Sequence, residues 1–237
     1  MMKKNGFTLA EVLITLAIIG VVATMTLPAL MTNTGEQQAK TGLKKGINTL
    51  TEAVTMNESV AGFDYGNITV TPPSDASGFS DDNAKKQSLF GILANNCAID
   101  YSKTTKIHDL EGSGTGDDDY DTTVHLRDGS AILYNAAAAT IDETKAKKQP
   151  DSLPLGFTIV YDTNGIKGPN VLSNCAGESL GKDESDDAQF TKAITEEYVI
   201  TDCDDKAKRV IKDQFTLQLR GNVVQPAGKA ALWALNN

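Results

Sequence analysis

Phe7-Thr8-Leu9-Ala10-Glu11-Val12-Leu13-Ile14-Thr15-Leu16-Ala17-Ile18-Ile19-Gly20-Val21-Val22-Ala23-Thr24-Met25-Thr26-Leu27-Pro28-Ala29-Leu30 is the stretch whose reading decides the fold. Between Lys4 and Glu36 it contains one charge, Glu11. At about 1.5 Å of rise per helical residue, such a run is long enough to cross a hydrocarbon core of ~30 Å. Lys3 and Lys4 ahead of it favour an N-terminus retained in the cytoplasm; Lys40, Lys44 and Lys45 weaken that bias but lie well beyond the apolar segment. A secretory signal has a shorter apolar region, roughly 7–15 residues, closed by a small-x-small site. No convincing site of that kind follows here, and no Cys stands where a lipoprotein signal requires one. Length argues against a buried core helix. A plain membrane anchor explains every residue except Glu11.

Glu11 therefore carries the functional information. An ionised carboxylate in lipid costs on the order of a few kcal/mol, so it marks a functional site whose partner has to be named. The apolar helix holds no cation. If the chain were cut between Gly6 and Phe7, a new α-amino group would appear four residues before Glu11. That amine can meet Glu11 within one helix, or meet the Glu11 of a staggered neighbour. Either pairing offsets the burial cost, and the second also sets register between subunits.

Lys3-Lys4-Asn5-Gly6-Phe7-Thr8-Leu9-Ala10-Glu11 with the apolar run behind it resembles the prepilin leader and N-terminal helix of type IV pilins and type II secretion pseudopilins. The resemblance implies a prepilin peptidase that cuts after Gly6 and methylates Phe7, and an assembly role for Glu11. It also implies other pilin or pseudopilin subunits and an inner-membrane assembly platform as partners. The chain would be a single-pass bacterial inner-membrane protein, N-terminus cytoplasmic and head periplasmic, before entering a pilus or pseudopilus. Gly20 and Pro28 fall where that helix commonly has a Gly and a Pro. A mid-helix Pro removes a hydrogen bond and clashes with the preceding turn, so a kink or melted turn is expected over 24–28.

Past Glu36, Ala39, Leu43, Ile47, Leu50 and Val54 keep helical spacing, which predicts an amphipathic continuation whose stripe docks on a head. Gly35, Gly42 and Gly46 weaken it, so packing must hold it. The expected domains are a leader over 1–6, the apolar helix over 7–33, its amphipathic continuation over 34–60, and a head over 61–237. The head begins with a Gly/Pro/Ser/Asp-rich linker over 62–82 and a short helix over 84–96. Alternating runs on either side of Asp128-Gly129 (123–127 and 130–134) predict a hairpin. A strand follows over 155–161. Phe215-Thr216-Leu217-Gln218-Leu219, turning at Gly221-Asn222 into Val223-Val224, predicts another hairpin. The fold class is thus α+β: a long N-terminal helix, membrane-spanning in its first half, on an antiparallel sheet with one apolar face to be covered.

Asp162-Thr163-Asn164-Gly165-Ile166-Lys167-Gly168-Pro169-Asn170 is similar to a loop motif in the heads of pilin-like proteins, placed after a strand and shortly before one ending near Val-x-Pro; Phe215 to Pro226 matches the later strand. Between them, over about 173–213, lies an acidic insert bounded by Cys175 and Cys203. Three Cys permit at most one intramolecular bridge, and none has metal-ligand spacing. Cys175 with Cys203 is the favoured pair, since it staples the insert in an oxidising compartment.

The net charge of −9 in 237 residues disfavours general nucleic-acid binding, which depends on Lys and Arg neutralising phosphates. His108 and His125 stand alone, His125 as an expected surface residue. No nucleophile elbow, Walker loop or dinucleotide fingerprint occurs, and Gly112-Ser113-Gly114-Thr115-Gly116 is followed by acidic residues that would repel phosphate. No cofactor is implied and no enzyme activity is expected. Calcium takes about six to eight oxygens, and the acidic groups at Asp117, Asp118, Asp119 and Asp121, at Asp162 and Asn164, and at Asp183, Glu184, Asp186 and Asp187 match no EF-hand. Asp162 and Asn164 are the weak candidates. The Gly-x-Asp-Ala-Asp calcium loop of the major pseudopilin is missing, which weakens that assignment, and the acidic, stapled insert suggests a minor or specialised subunit. The second reading is a minor pilin at a filament tip, a binding module for adhesion or DNA uptake.

Overall fold

A computed structural model describes residues 8–68, 88–103, 122–134, 156–175, 201–207 and 209–237. The chain forms two units, Met1–Gln38 and Ala39–Asn237. In the first, helix α1 (Leu9–Ala61) begins just after Thr8, and its side chains from Leu9 to Leu27 are almost all exposed. The hydroxyls of Thr15, Thr24 and Thr26 donate to the carbonyls of Val12, Val21 and Val22. These polar groups are thus satisfied inside the helix, as a lipid environment requires. Helix α1 runs unbroken through 24–28, so of the kink or melted turn expected there the melted turn does not form. Proline removes one rung of the ladder, and the rungs on either side keep the helix continuous.

In the second unit the rest of α1 presents the anticipated stripe. Ala39, Leu43, Leu50 and Val54 are buried and Ile47 packs against the same core. Each fully buried Leu or Val contributes about 1.5–3 kcal/mol relative to exposure. The stripe covers a five-stranded antiparallel sheet in the order β1-β2-β3-β6-β7: β1 (Thr122–His125), β2 (Ala131–Tyr134), β3 (Gly156–Asp162), β6 (Gln214–Arg220) and β7 (Val223–Pro226). Val124, Ile132, Tyr134, Ile159, Tyr161, Phe215, Leu217, Leu219 and Val224 lie on one face of it and join the core with α1. The sheet is buried on its other face too, where Ala131, Leu133 and Val160 pack with Leu172. One apolar face was expected; the central strands have two buried ones.

Gly42 and Gly46 weaken α1 but permit its contact with the sheet. A Cβ on Gly46 would overlap the Tyr161 ring, and one on Gly42 would come within 2.6 Å of Thr163 Cβ. The hairpin at Asp128-Gly129 forms, with Gly129 at φ 94° and the Asp128 carboxylate accepting from Ser130 N–H and Oγ. Lys45 Nζ lies 2.8 Å from Asp128 Oδ2 and ties this turn to α1. The hairpin at Gly221-Asn222 forms likewise, seven-residue β6 pairing along its whole length with β3.

Helix α2 (Leu89–Asn96) is shorter than the expected 84–96, starting where Ser88 Oγ accepts Gly91 N–H as an N-cap; residues 84–87 lie outside the described residues. So do the loop over 112–121, His108, and most of the acidic insert. His125 is a correction: it is buried, not at the surface. The segment around Ile99 runs along the outer edge of β1, Asp100 N–H donating to the His125 carbonyl. Two short elements flank the insert: β4 (Asn174–Cys175) pairs with β5 (Arg209–Val210), and α3 is Thr201–Asp204. The chain ends in α4 (Lys229–Asn236), which the sequence reading did not anticipate although Lys229-Ala230-Ala231-Leu232-Trp233-Ala234-Leu235 is an apolar stretch of helix-forming residues.

Candidate assembly site on the N-terminal helix

Thr8 and Glu11 form a reciprocal cap at the start of α1. Thr8 N–H and Thr8 Oγ both donate to Glu11 Oε2 at 2.8 Å, and Glu11 N–H donates back to Thr8 Oγ at 3.3 Å. A Thr three residues before a Glu is the capping-box spacing, which satisfies helix-end donors that have no intrahelical partner. The signal was present in the sequence as Thr8-Leu9-Ala10-Glu11, and Thr8 is the residue the reading of Glu11 alone missed. The cap anchors the carboxylate through one oxygen and supplies no countercharge.

Apart from Thr8 and Thr15, whose hydroxyls bond within the helix, the residues around this carboxylate are apolar. Leu9–Leu27 is the one helix, among the described residues, long and apolar enough to cross a membrane, and none of it is buried within the chain. Leu9 is 81% exposed and Met25 75%. A Cβ on Gly20 would meet nothing within 4 Å, so no packing among the described residues requires a glycine there. Such a surface has to be covered by lipid or by other chains. Gly6 and Phe7 lie outside the described residues, and nothing is described of the Pro28 side chain.

Asp162 and Asn164, the calcium candidates, come together in the turn after β3. Asp162 is fully buried. Its Oδ1 accepts the N–H groups of Asn164 (3.0 Å) and Gly165 (2.6 Å), and its Oδ2 accepts Gln214 Nε2–H (2.9 Å). Burial, reinforced by the charge of Asp213, pushes its carboxyl up to about 6 against those three donors. In this conformation the carboxylate caps a turn. Asp213 does the same for the end of the loop, accepting Asn170 N–H and Val171 N–H. No group of three or more His, Cys, Asp or Glu side chains able to hold a metal occurs among the described residues.

Cys175 and Cys203 are joined by a disulfide, Cα to Cα 5.3 Å, and Cys97 is free. Trp233, which the sequence reading passed over, lies beside this bridge: its Nε1–H donates to Asp204 Oδ1. Its being the only Trp in the chain, inside an apolar stretch, was the available signal.

No curated protein and no solved structure matches the chain. The exposed apolar helix fits membrane anchoring, and the prepilin-type motif over residues 1–27 implies processing by a prepilin peptidase and assembly with other pilin subunits. Residues 1–27 match the family model described as the prokaryotic N-terminal methylation motif, so the chain carries the prepilin-type signal characteristic of type IV pilins and pseudopilins.

Proposed function

We propose that the chain is a structural subunit, minor or specialised, of a type IV pilus or a type II secretion pseudopilus. The observation that carries this reading is the single carboxylate at Glu11 within an apolar, uncovered helix. A membrane anchor gains nothing from a charge that costs on the order of a few kcal/mol in lipid. An assembling helix gains a register point, because cleavage after Gly6 gives each neighbour an α-amino group to place against Glu11. The Thr8 cap holds that carboxylate ready without neutralising it.

In this reading the subunit enters the inner membrane with its N-terminus cytoplasmic and its head periplasmic. The prepilin peptidase cuts between Gly6 and Phe7 and methylates Phe7, and an inner-membrane platform draws the helix into the filament. The disulfide-bounded acidic insert supports a specialised rather than bulk role. Mass spectrometry of the mature N-terminus from the source cell tests the proposal. N-methyl-Phe7 is expected. An intact Met1, or a terminus within 25–31, would overturn it.

A further inference from the structure

Trp233 on α4 is gripped from three directions. Lys40 Nζ lies 4.1 Å from its ring centroid and Arg209 Cζ 4.0 Å from it. Asp204 Oδ1 accepts its Nε1–H at 3.0 Å. The grip joins α1, the end of the insert and the C-terminal helix around a ring that is 4% exposed.

The Arg209 guanidinium is held by the disulfide's surroundings. Its Nη1 donates to the Cys203 and Asp204 carbonyls at 3.1 and 3.3 Å, and its backbone is the β-ladder partner of Cys175. Both halves of the cystine therefore abut the residue that covers Trp233. The elements carrying them are short: β4 and β5 have two residues each and α3 has four. Isolated pieces of that length do not persist in water. β4 and β5 are nonetheless tied to the sheet, since Ser173 Oγ accepts Lys212 N–H and donates to the Lys212 carbonyl, and Leu172 bridges to Gln214. The bond between Cys175 and Cys203 adds the covalent tie to α3. The main sheet needs no such help, since β3 and β6 pair over seven residues.

We propose that the Cys175–Cys203 disulfide is the catch of a C-terminal latch: oxidised, it fixes α3 so that Trp233 is gripped between Lys40 and Arg209; reduced, it loosens that grip on the ring while the sheet, and Ala230, Ala231 and Ala234 of α4 packed in the same core, stay folded. Reduction by a dithiol delivers two electrons and two protons, giving the Cys175 and Cys203 thiols and leaving the dithiol as its own disulfide. Asp204 then loses its fixed position and the Arg209 guanidinium its two carbonyl acceptors, so the indole loses its acceptor and the hold on one of its two cations. Oxidation reverses each step. This holds whichever filament the subunit enters.

Because Trp233 is the only Trp in the chain, its fluorescence reads the latch directly. The full-length chain in detergent micelles would be compared oxidised, treated with dithiothreitol, and as the Cys175→Ser, Cys203→Ser double variant. The expected result for the reduced chain and the variant is red-shifted emission and a several-fold rise in acrylamide quenching, with the β-sheet circular dichroism retained. Reoxidation of the wild-type chain should restore the original spectrum. Unchanged emission on reduction would overturn the latch. Loss of the sheet signal together with the shift would also overturn it, since the bridge would then staple the whole head.

Discussion

The Tyr161 ring of β3 rests directly on the backbone of α1 at Gly46, leaving no room for a side chain there. Tyr161 is itself buried, 1% exposed, so the ring has nowhere to move. An alanine at position 46 gains roughly 1 kcal/mol of helix propensity over glycine. It must also force the helix off the sheet, and overpacking of this kind costs about 1–3 kcal/mol. Gly46→Ala is therefore expected to lower head stability despite its better propensity, as measured by chemical denaturation of the full chain in detergent. A stabilised variant would show that α1 and β3 do not approach this closely.

The site at the other end of α1 makes a different prediction. Glu11→Leu removes the one charge from the apolar helix and should leave membrane insertion intact or improved. Filament assembly should be lost, because the neighbour's amine then has no partner. Fractionation reads the first effect and sheared-filament yield reads the second. Normal assembly would remove Glu11 from any register role.

What the sequence made legible followed regular periods. The stripe from Ala39 to Val54 was visible at helical spacing, and the two hairpins were visible as alternation around Asp128-Gly129 and Gly221-Asn222. The Thr8–Glu11 cap had a sequence signal as well, though attention to the lone charge hid it. Other features depended on contacts between segments far apart in the chain. Gly42 and Gly46 read as helix weakeners, because nothing local shows that Tyr161 and Thr163 press against them. His125 read as a surface residue, since the segment at Ile99 that lines its strand edge is remote in sequence. Helix α4 is eight residues long and leans on Asp204, Arg209 and Lys40, none of which marks it locally.

Cys97 is the one thiol outside the disulfide. Burial chiefly, with help from the charges of Asp128 and Glu52, pushes it up to about 11. At pH 8 that leaves a thiolate fraction of about one in a thousand, against roughly a quarter for an ordinary cysteine. Iodoacetamide should therefore label Cys97 on the order of a hundred times more slowly in the native chain than after unfolding. Mass spectrometry of timed samples gives both rates. Fast native labelling would contradict the packing of Cys97, the C-cap of α2, against the core.

Asp162 predicts how the head responds to pH. Its folded carboxyl, near 6, lies above the ordinary 3.8 because burial and the Asp213 charge outweigh three hydrogen bonds. The folded chain thus holds a proton there more readily than the unfolded one. The resulting stability is fully present below about pH 4 and is lost as pH rises through about 6, amounting to ~3 kcal/mol at most. The neutral acid has a ready acceptor, since Gln214 Oε1 is buried with no partner and a turn of that amide would bring it to Asp162 Oδ2. Asp162→Asn mimics this form, its Nδ2 donating to the turned Gln214 while Oδ1 keeps the N–H groups of Asn164 and Gly165. The variant should fold and match the wild type near pH 4. It should exceed wild-type stability at pH 7, with a flatter profile between the two. Asp162→Ala strips the turn of its acceptor and should cost about 1–3 kcal/mol at either pH. Denaturation of the three chains at pH 4, 5.5 and 7 measures this. Equal slopes for wild type and Asp162→Asn would show that the carboxyl is not the titrating group.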